Sequence, residues 1–239
     1  GTNFTNSLLV GTDSTGTLSS AIGNTGVGTG VFGALTTGDN NVAVGLNALD
    51  VMTTAAQNTA IGACALAATT TGGCNTGVGY LSLKTNIDGT NNVAMGRCAL
   101  GSNTTADNNT AVGFLALTSN TTADNNTAVG NLALCKNTTG SENTAVGIQA
   151  LCKTTTGCRN TAVGASALVC NTEGCENVAM GRNAMRCNTT GDGNLGIGAY
   201  ALGANTTADS NTAVGKSALT NNTTGEQNTA VGVCSLNAN

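Results

Sequence analysis

The sequence predicts an all-β fold, a parallel β-solenoid (β-roll) of about fourteen 17-residue rungs with two short strands in each rung. Three observations predict it: an unbroken 17-residue repeat, a composition dominated by small residues, and two short apolar runs in every repeat. A rung is one 17-residue turn of the solenoid, and adjacent rungs are expected to stack about 4.8 Å apart.

The repeat is marked by an Asn that recurs every 17 residues without any insertion. Its consensus is N-T-A-V-G-x-x-A-L-x-x-N-T-T-G-x-x, and repeat positions 1 to 17 are counted from that Asn. A fixed short period is typical of stacked repeats that each pack on their neighbours. We therefore expect residues 24–239 to form one regular solenoid domain. Residues 1–23 keep Val10 and Gly11 but lose the Asn, and are expected to form a degenerate N-terminal rung.

The composition excludes several classes of protein. The 239 residues include 34 Gly, no Pro, no His and no Trp, and charged residues make up only 8%. Without a basic run we expect no nucleic-acid partner, and the apolar runs are far too short for membrane insertion. The chain starts at Gly1 without a signal-like segment, which predicts a processed or excised piece of a longer protein.

Two apolar positions in each repeat predict the strands. Position 4 is Val, Ile or Met in all thirteen copies, and position 9 is Leu, Met or Phe in all thirteen. Between them, Gly at position 5 permits a turn conformation that a Cβ would oppose. The second turn is the N-T-T-G stretch, whose side chains can bond their own backbone. We expect Val112, Leu117, Val129 and Leu134 to point inward and to stack with their equivalents in other rungs.

The Asn at position 1 has a structural explanation in such a stack. Identical amide side chains lie above each other and can bond from rung to rung as an Asn ladder, which satisfies polar groups inside the turn. The alternative, a file of ligand-binding amides, lacks any accompanying charged or aromatic residue. The predicted ladder comprises Asn24, Asn41, Asn58, Asn75, Asn92, Asn109, Asn126, Asn143, Asn160, Asn177, Asn194, Asn211 and Asn228.

The repeat resembles sequences of two known families. The N-T-A-V-G-x-x-A-L-x-x-N-T-T-G pattern of residues 24–239 resembles the 17-residue repeats of phage and viral tail-fibre proteins that precede an intramolecular chaperone domain. It is also similar to the shorter N-S-V-A-I-G repeats of YadA-like trimeric adhesin heads. The resemblance implies a left-handed parallel β-roll, often trimeric, that serves as a fibre shaft or an adhesive surface. The chain departs from both families in its ten Cys residues and in lacking a chaperone domain, stalk or receptor-binding tip.

Six of the ten cysteines form vertically stacked pairs. The pairs occupy position 10, position 16 and position 11 of adjacent rungs, and the rung spacing lies within the Cα separation that a disulfide accepts. We therefore expect three disulfides, Cys135–Cys152, Cys158–Cys175 and Cys170–Cys187. The pairing of the others is left open, and free cysteines as small core residues are the alternative. The remaining cysteines are Cys64, Cys74, Cys98 and Cys234.

No pattern in the chain indicates an enzyme, and no catalytic, cofactor-binding or metal-binding residue is assigned. There is no His to activate a thiol and no zinc-type Cys spacing. Acidic residues at position 16, such as Asp107 over Asp124, could form a calcium site, but a solvated turn is the simpler interpretation. The N-T-T triplets match the glycosylation pattern only because the turn recurs.

Two functions fit these observations. The first is a structural filament or fibre component, a shaft or adhesive element stabilised by disulfides and placed outside the cell or on a particle surface. Its expected partner is itself, in a head-to-tail filament or a homotrimer. The alternative is an ice-binding solenoid with a flat Thr-rich face. Positions 12 and 14 mostly read N-x-T where a T-x-T array is expected, which favours the filament.

Overall fold

The computed structural model describes residues 6–11 and 19–237. Over these residues the chain is an all-β solenoid of short parallel strands, with one strand in each 17-residue rung and no helix. The chain divides into two compact units, Gly1–Thr122 and Ala123–Asn239. The predicted fold class is confirmed.

The first unit contains strands β1 to β7, and each pairs in parallel with the next in chain order. Every pairing is shifted by one repeat, as in Val42 opposite Thr59. The same register connects the other pairs of this unit. The strands are β1 Leu8–Val10, β2 Thr25–Val27, β3 Val42–Val44, β4 Thr59–Ile61, β5 Thr76–Val78, β6 Val93–Met95 and β7 Thr110–Val112.

The second unit repeats this arrangement with strands β8 to β14. Thr144 lies opposite Thr161, again one repeat further along the chain, and all consecutive strands of the unit pair in this way. The strands are β8 Thr127–Val129, β9 Thr144–Val146, β10 Thr161–Val163, β11 Val178–Met180, β12 Leu195–Ile197, β13 Thr212–Val214 and β14 Thr229–Val231.

Each strand ends at the Gly in position 5, because the backbone there turns in a conformation that a Cβ would oppose, as predicted. In Gly147 the backbone φ is +135°, a region that residues with a Cβ rarely adopt. A Cβ added there would lie only 2.6 Å from the carbonyl oxygen of Gly164 in the next rung. The chain can therefore turn at this point, and stack closely on the next rung, only where the residue is Gly.

The second predicted strand of each rung does not form. Residues around positions 8 and 9 belong to a turn, because the non-glycine residues at positions 7 and 9 have left-handed backbone angles. Leu132 and Leu134, for example, have φ values of 57° and 49°. Since left-handed residues cannot belong to an extended strand, each rung has one strand and not two. Leucine rarely adopts this conformation, so the apolar run gave no sign of it.

The core prediction is right at position 9 and wrong at position 4. Leu117 and Leu134 are fully buried, whereas Val129 is 36% exposed and Val112 is only half-buried. Successive strand residues face opposite sides, so positions 2 and 4 point outward and only position 3 points inward. Position 3 is Ala or Gly in the described rungs from β2 onward, as in the fully buried Ala128. The interior is narrow, and most rungs fill it with small residues at positions 3 and 8 around one Leu, replaced by Phe32 and Met185 in two rungs.

Candidate functional site

The Asn ladder at position 1 is present within both units. In Asn92 the backbone N–H donates to Oδ1 of Asn75 at 2.9 Å, and Nδ2 donates to the same oxygen at 3.2 Å. Nδ2 also donates to the carbonyl oxygen of Ala106 at position 15, at 2.7 Å. Twelve of the thirteen ladder residues are buried, and Asn228 is half-buried. These amides therefore stabilise the stack and are not open to a ligand.

A second Asn ladder, which the sequence did not reveal, runs along position 12. Asn188 Nδ2 donates to Oδ1 of Asn171 at 2.9 Å and to the carbonyl oxygen of Gly191 at 2.9 Å. That carbonyl also accepts from Asn177 of the first ladder, at 2.8 Å. Two files of buried amides thus converge on one carbonyl oxygen in several rungs, at Gly89, Ala106, Gly174, Gly191 and Ala208. The sequence signal for this ladder is the 17-residue recurrence of the Asn in N-T-T-G, which also fits a simple turn.

The second ladder is interrupted where position 12 is not Asn. Thr154 is fully buried in this file, and its hydroxyl has no hydrogen-bond partner, as is also true of Thr69. The uninterrupted part in the second unit is Asn171, Asn188, Asn205 and Asn222. Because Asn103 and its equivalents are buried, the N-T-T glycosylation patterns lie inside the folded chain and are not accessible acceptors.

Side chains at position 16 bond the backbone of the preceding rung. Asp107 Oδ1 accepts from the backbone N–H of Thr90 at 2.6 Å, and Asp209 Oδ1 accepts from that of Asp192 at 2.7 Å. The carboxylates thus satisfy exposed turn amides, which supports the interpretation of this file as a turn. No group of three or more His, Cys, Asp or Glu side chains suited to a metal ion occurs in residues 6–11 and 19–237.

The Thr-rich turn places the side chains at positions 12 and 14 in different environments, and position 14 is a file of exposed side chains such as Thr105, Thr122 and Thr139. Positions 12 and 14 do not share a surface, since Asn103 is buried and Thr105 is exposed. At position 13, Thr104 donates its hydroxyl to the carbonyl oxygen of Thr121 in the next rung, at 3.0 Å. The same bond recurs in other rungs, as between Thr172 and Thr189. These hydroxyls hold the rungs together and form no free array.

The structure brings two of the three predicted cysteine pairs into contact. The Sγ atoms of Cys135 and Cys152 are 2.8 Å apart, and those of Cys158 and Cys175 are also 2.8 Å apart. All ten cysteines are free thiols in the structure. A disulfide requires about 2.05 Å, so the three disulfides stay a prediction.

The third predicted pair is arranged differently. The described residues show no Sγ–Sγ contact between Cys170 and Cys187, and Cys170 Sγ instead lies 3.9 Å from Nζ of Lys153. Among the cysteines without a stacked partner, Cys74 and Cys234 are exposed.

The two thiol pairs differ in their electrostatic surroundings. The hydrogen bond with Cys135 lowers the pKa of Cys152 to about 7; burial opposes this shift, and the charges of Lys136 and Lys153 support it. The hydrogen bond to Cys152, followed by burial, raises the pKa of Cys135. Cys152 is therefore the more acidic thiol of its pair.

Around Cys175, burial and then the hydrogen bond with Cys158 raise the pKa to about 11. The nearby charge of Asp192 acts in the same direction. The second pair thus has Asp192 near Cys175 and Arg159 hydrogen-bonded to Cys158, where the first pair has two lysines.

The outer strand face, defined as the side chains at positions 2 and 4 of the strands, is uncharged, with Val, Ile or Met at position 4 and mostly Thr at position 2 from β2 onward. None of the fourteen described strands carries a charged residue. Exposed side chains at position 4 include Val27, Ile61, Met95, Val129, Val146, Met180, Ile197 and Val231. Repeated in every rung, these residues form one apolar stripe in each unit. Such contiguous exposed patches usually mark an interaction surface.

Comparison with known proteins yields no assignment, since no protein-family model and no curated protein matches this chain. Over the described residues, the chain has no helix of the length and apolarity needed to cross a membrane.

Proposed function

We propose that this chain is a structural component of an extracellular or particle-surface fibre, and that its outer strand face packs against further copies of the same chain. The β-solenoid repeat fold is consistent with a structural, fibre-like role. The observation that carries the proposal is the uncharged apolar stripe on the outer strand face in both units.

The energy gained by covering this stripe is comparable with the cost of self-association. Complete burial of a Val or Ile side chain stabilises by about 1.5 to 3 kcal/mol, so covering a side chain that is 36–45% exposed contributes about 0.6 to 1.2 kcal/mol. Seven rungs of one unit then contribute about 5 kcal/mol, and the two facing copies together about 10 kcal/mol. Association costs about 4 to 15 kcal/mol, so pairing through the stripe of one unit is marginal and is favoured by further rungs or a third copy.

A second copy is the occupant that best matches this surface. The stripe carries no charge that would steer a polar ligand or nucleic acid. Its repeat distance is the strand spacing of about 4.8 Å, and a second copy presents the same side chains at that same spacing. Two such faces can pack as aligned sheets about 10 Å apart. The extracellular location is supported by the stacked cysteine pairs, since disulfides persist in oxidising environments.

The experiment compares lysine substitutions on two surfaces of the second unit. Val146→Lys with Val163→Lys places charge on the outer strand face, and Thr139→Lys with Thr156→Lys places equal charge on the exposed turn at position 14. Light scattering coupled to size exclusion, with electron microscopy, measures the assembly of each variant, and circular dichroism checks that it is folded.

We expect the parent chain to form dimers or larger assemblies, the valine variant to return to the 23.2 kDa monomer, and the threonine variant to assemble normally. A parent chain that stays monomeric at about 100 μM, in a range where weak specific complexes form, would refute the proposal. Equal behaviour of the two variants would refute the assignment of the face. Thermal hysteresis measured on the same samples tests the ice-binding alternative.

A further inference from the structure

We propose that Cys135 and Cys152 form a thiol–disulfide exchange site, in which Cys152 attacks an external small-molecule disulfide and Cys135 resolves the resulting mixed disulfide. The site concerns one stacked pair in the second unit and does not depend on fibre assembly. Its product is a covalent bond between two adjacent rungs.

The geometry separates the roles of the two thiols. Cys135 is only 4% exposed, whereas Cys152 is half-buried, so an incoming disulfide reaches Cys152 first. The thiol of Cys135 lies 2.8 Å from Cys152 Sγ and 3.4 Å from the Cys152 carbonyl oxygen. The backbone N–H of Lys136 donates to that same carbonyl at 3.1 Å and fixes the two rungs in register. Cys135 is therefore held beside the sulfur that it must later attack.

The surroundings favour a thiolate at Cys152. With its pKa lowered to about 7, about three quarters of this thiol is ionised at pH 7.5. The thiolate is the attacking species in exchange, and lysines beside it are a typical setting for a reactive cysteine. Once Cys152 is in a mixed disulfide it no longer bears a negative charge. The hydrogen bond to the Cys152 thiolate, which is the main cause that raises the pKa of Cys135, is then removed. Cys135 can therefore ionise in turn.

The reaction balances with a disulfide of low molecular weight, such as oxidised glutathione, as oxidant. The Cys152 thiolate attacks one sulfur of that disulfide, its S–S bond breaks, and one thiolate leaves. Cys135 loses its proton to solvent and attacks Cys152 Sγ, and the second thiolate leaves. In total, two protein thiols are oxidised to one disulfide and the external disulfide is reduced to two thiols.

Cys158 and Cys175 provide an internal comparison with the same Sγ–Sγ distance of 2.8 Å. The pKa of Cys175 is raised to about 11, and its backbone N–H donates to Asp192 Oδ1 at 2.6 Å. At pH 7.5 the thiolate fraction of Cys175 is therefore lower than that of Cys152. A more basic thiolate is intrinsically more nucleophilic, which reduces the expected rate advantage of Cys152 over Cys175 without removing it.

The experiment uses the reduced full chain in a Cys98→Ser background, treated with oxidised glutathione at pH 7.5 and quenched by alkylation at set times. Cleavage after Lys and Arg then places Cys135 alone in the peptide 98–136 and Cys152 alone in the peptide 137–153. Mass spectrometry follows Cys135 and Cys152 by peptide mass, and fragmentation of the peptide 160–182 distinguishes Cys175 from Cys170. The variants are Cys135→Ser and Cys152→Ser, with Cys158→Ser as the matched control and circular dichroism as the check of folding.

In the background chain we expect the two peptides to become joined by a disulfide without lasting glutathione. In Cys135→Ser, glutathione should stay bound to Cys152, and in Cys152→Ser the modification of Cys135 should slow at least tenfold. Cys158→Ser should not change either result. Modification of Cys152 no faster than that of Cys175, or a Cys135→Ser chain that carries no adduct on Cys152, would overturn the proposal.

Discussion

Replacing Thr154 by Asn should repair the interruption in the second Asn ladder and stabilise the second unit. The Thr154 side chain is fully buried, and its hydroxyl has no hydrogen-bond partner. Below it, Gly157 accepts one ladder amide at its carbonyl oxygen, from Asn143 at 2.8 Å. In a rung where position 12 is Asn, the equivalent carbonyl accepts two, as Gly174 does from Asn160 and Asn171.

The magnitude follows from the bonds that an amide would add. An Asn at this position can donate to Gly157 and to the preceding ladder residue, and can accept from Asn171. At a net value of about 1 kcal/mol for each hydrogen bond, the gain is about 3 kcal/mol. Ordering the more flexible Asn side chain costs roughly 0.5 to 1 kcal/mol. The free energy of unfolding should therefore rise by about 2 kcal/mol.

Urea unfolding followed by circular dichroism measures this change as a shift in the transition midpoint. Two controls separate the ladder from other effects. Thr154→Val removes the hydroxyl without adding an amide and should raise stability by no more than about 1 kcal/mol. Asn188→Thr creates the same interruption in an intact stretch and should lower stability by about 2 kcal/mol. If Thr154→Asn were neutral or destabilising while Asn188→Thr had no effect, the ladder would not contribute to stability as we infer.

Two further predictions test the orientation of the strands and the turn at position 5. Ala128→Asp buries an unpaired charge and should unfold the second unit locally. Val129→Asp lies on the outer strand face, 36% exposed, and should cost only about 1 to 2 kcal/mol of lost burial. Hydrogen exchange of strand β8 compares the two, and equal effects would contradict the assignment of faces. Gly147→Ala should destabilise the protein by more than about 2 kcal/mol. The new Cβ would meet the carbonyl oxygen of Gly164 at 2.6 Å, and the backbone φ of +135° is costly for Ala. A thermal unfolding midpoint unchanged from the parent chain would contradict this prediction.

The sequence was sufficient for the features that depend on one position repeating itself. The 17-residue period implied parallel strands paired in register, and the structure shows this in each unit. The invariant Gly at position 5 implied a turn that excludes a Cβ, which Gly147 illustrates. The invariant Asn at position 1 implied a ladder, because identical amides stacked at the rung distance can bond each other. These inferences need only the vertical stacking of equal residues.

The sequence was misleading about which residues face inward within a rung. The larger apolar residue at position 4 was a natural candidate for the core, and Val129 nevertheless points outward. In the N-T-T-G turn, burial recurs every third residue, so that Asn103, Ala106 and Asn109 are buried and Thr105 and Asn108 are exposed. In a strand, burial would alternate every second residue. The T-x-T array considered at positions 12 and 14 depends on that two-residue period.

The sequence by itself therefore determined the features that repeat from rung to rung. These are the 17-residue period, the parallel register, the first Asn ladder and the columns in which cysteines lie above each other. Only the tertiary structure decided the path within one rung. It placed Leu134 in a left-handed backbone conformation, kept the second apolar run out of a strand, and brought Cys135 and Cys152 to 2.8 Å while leaving Cys170 beside Lys153. The physical reason is that stacking repeats one contact between identical residues. The backbone path within one rung depends instead on how several different small side chains pack against each other around a narrow interior.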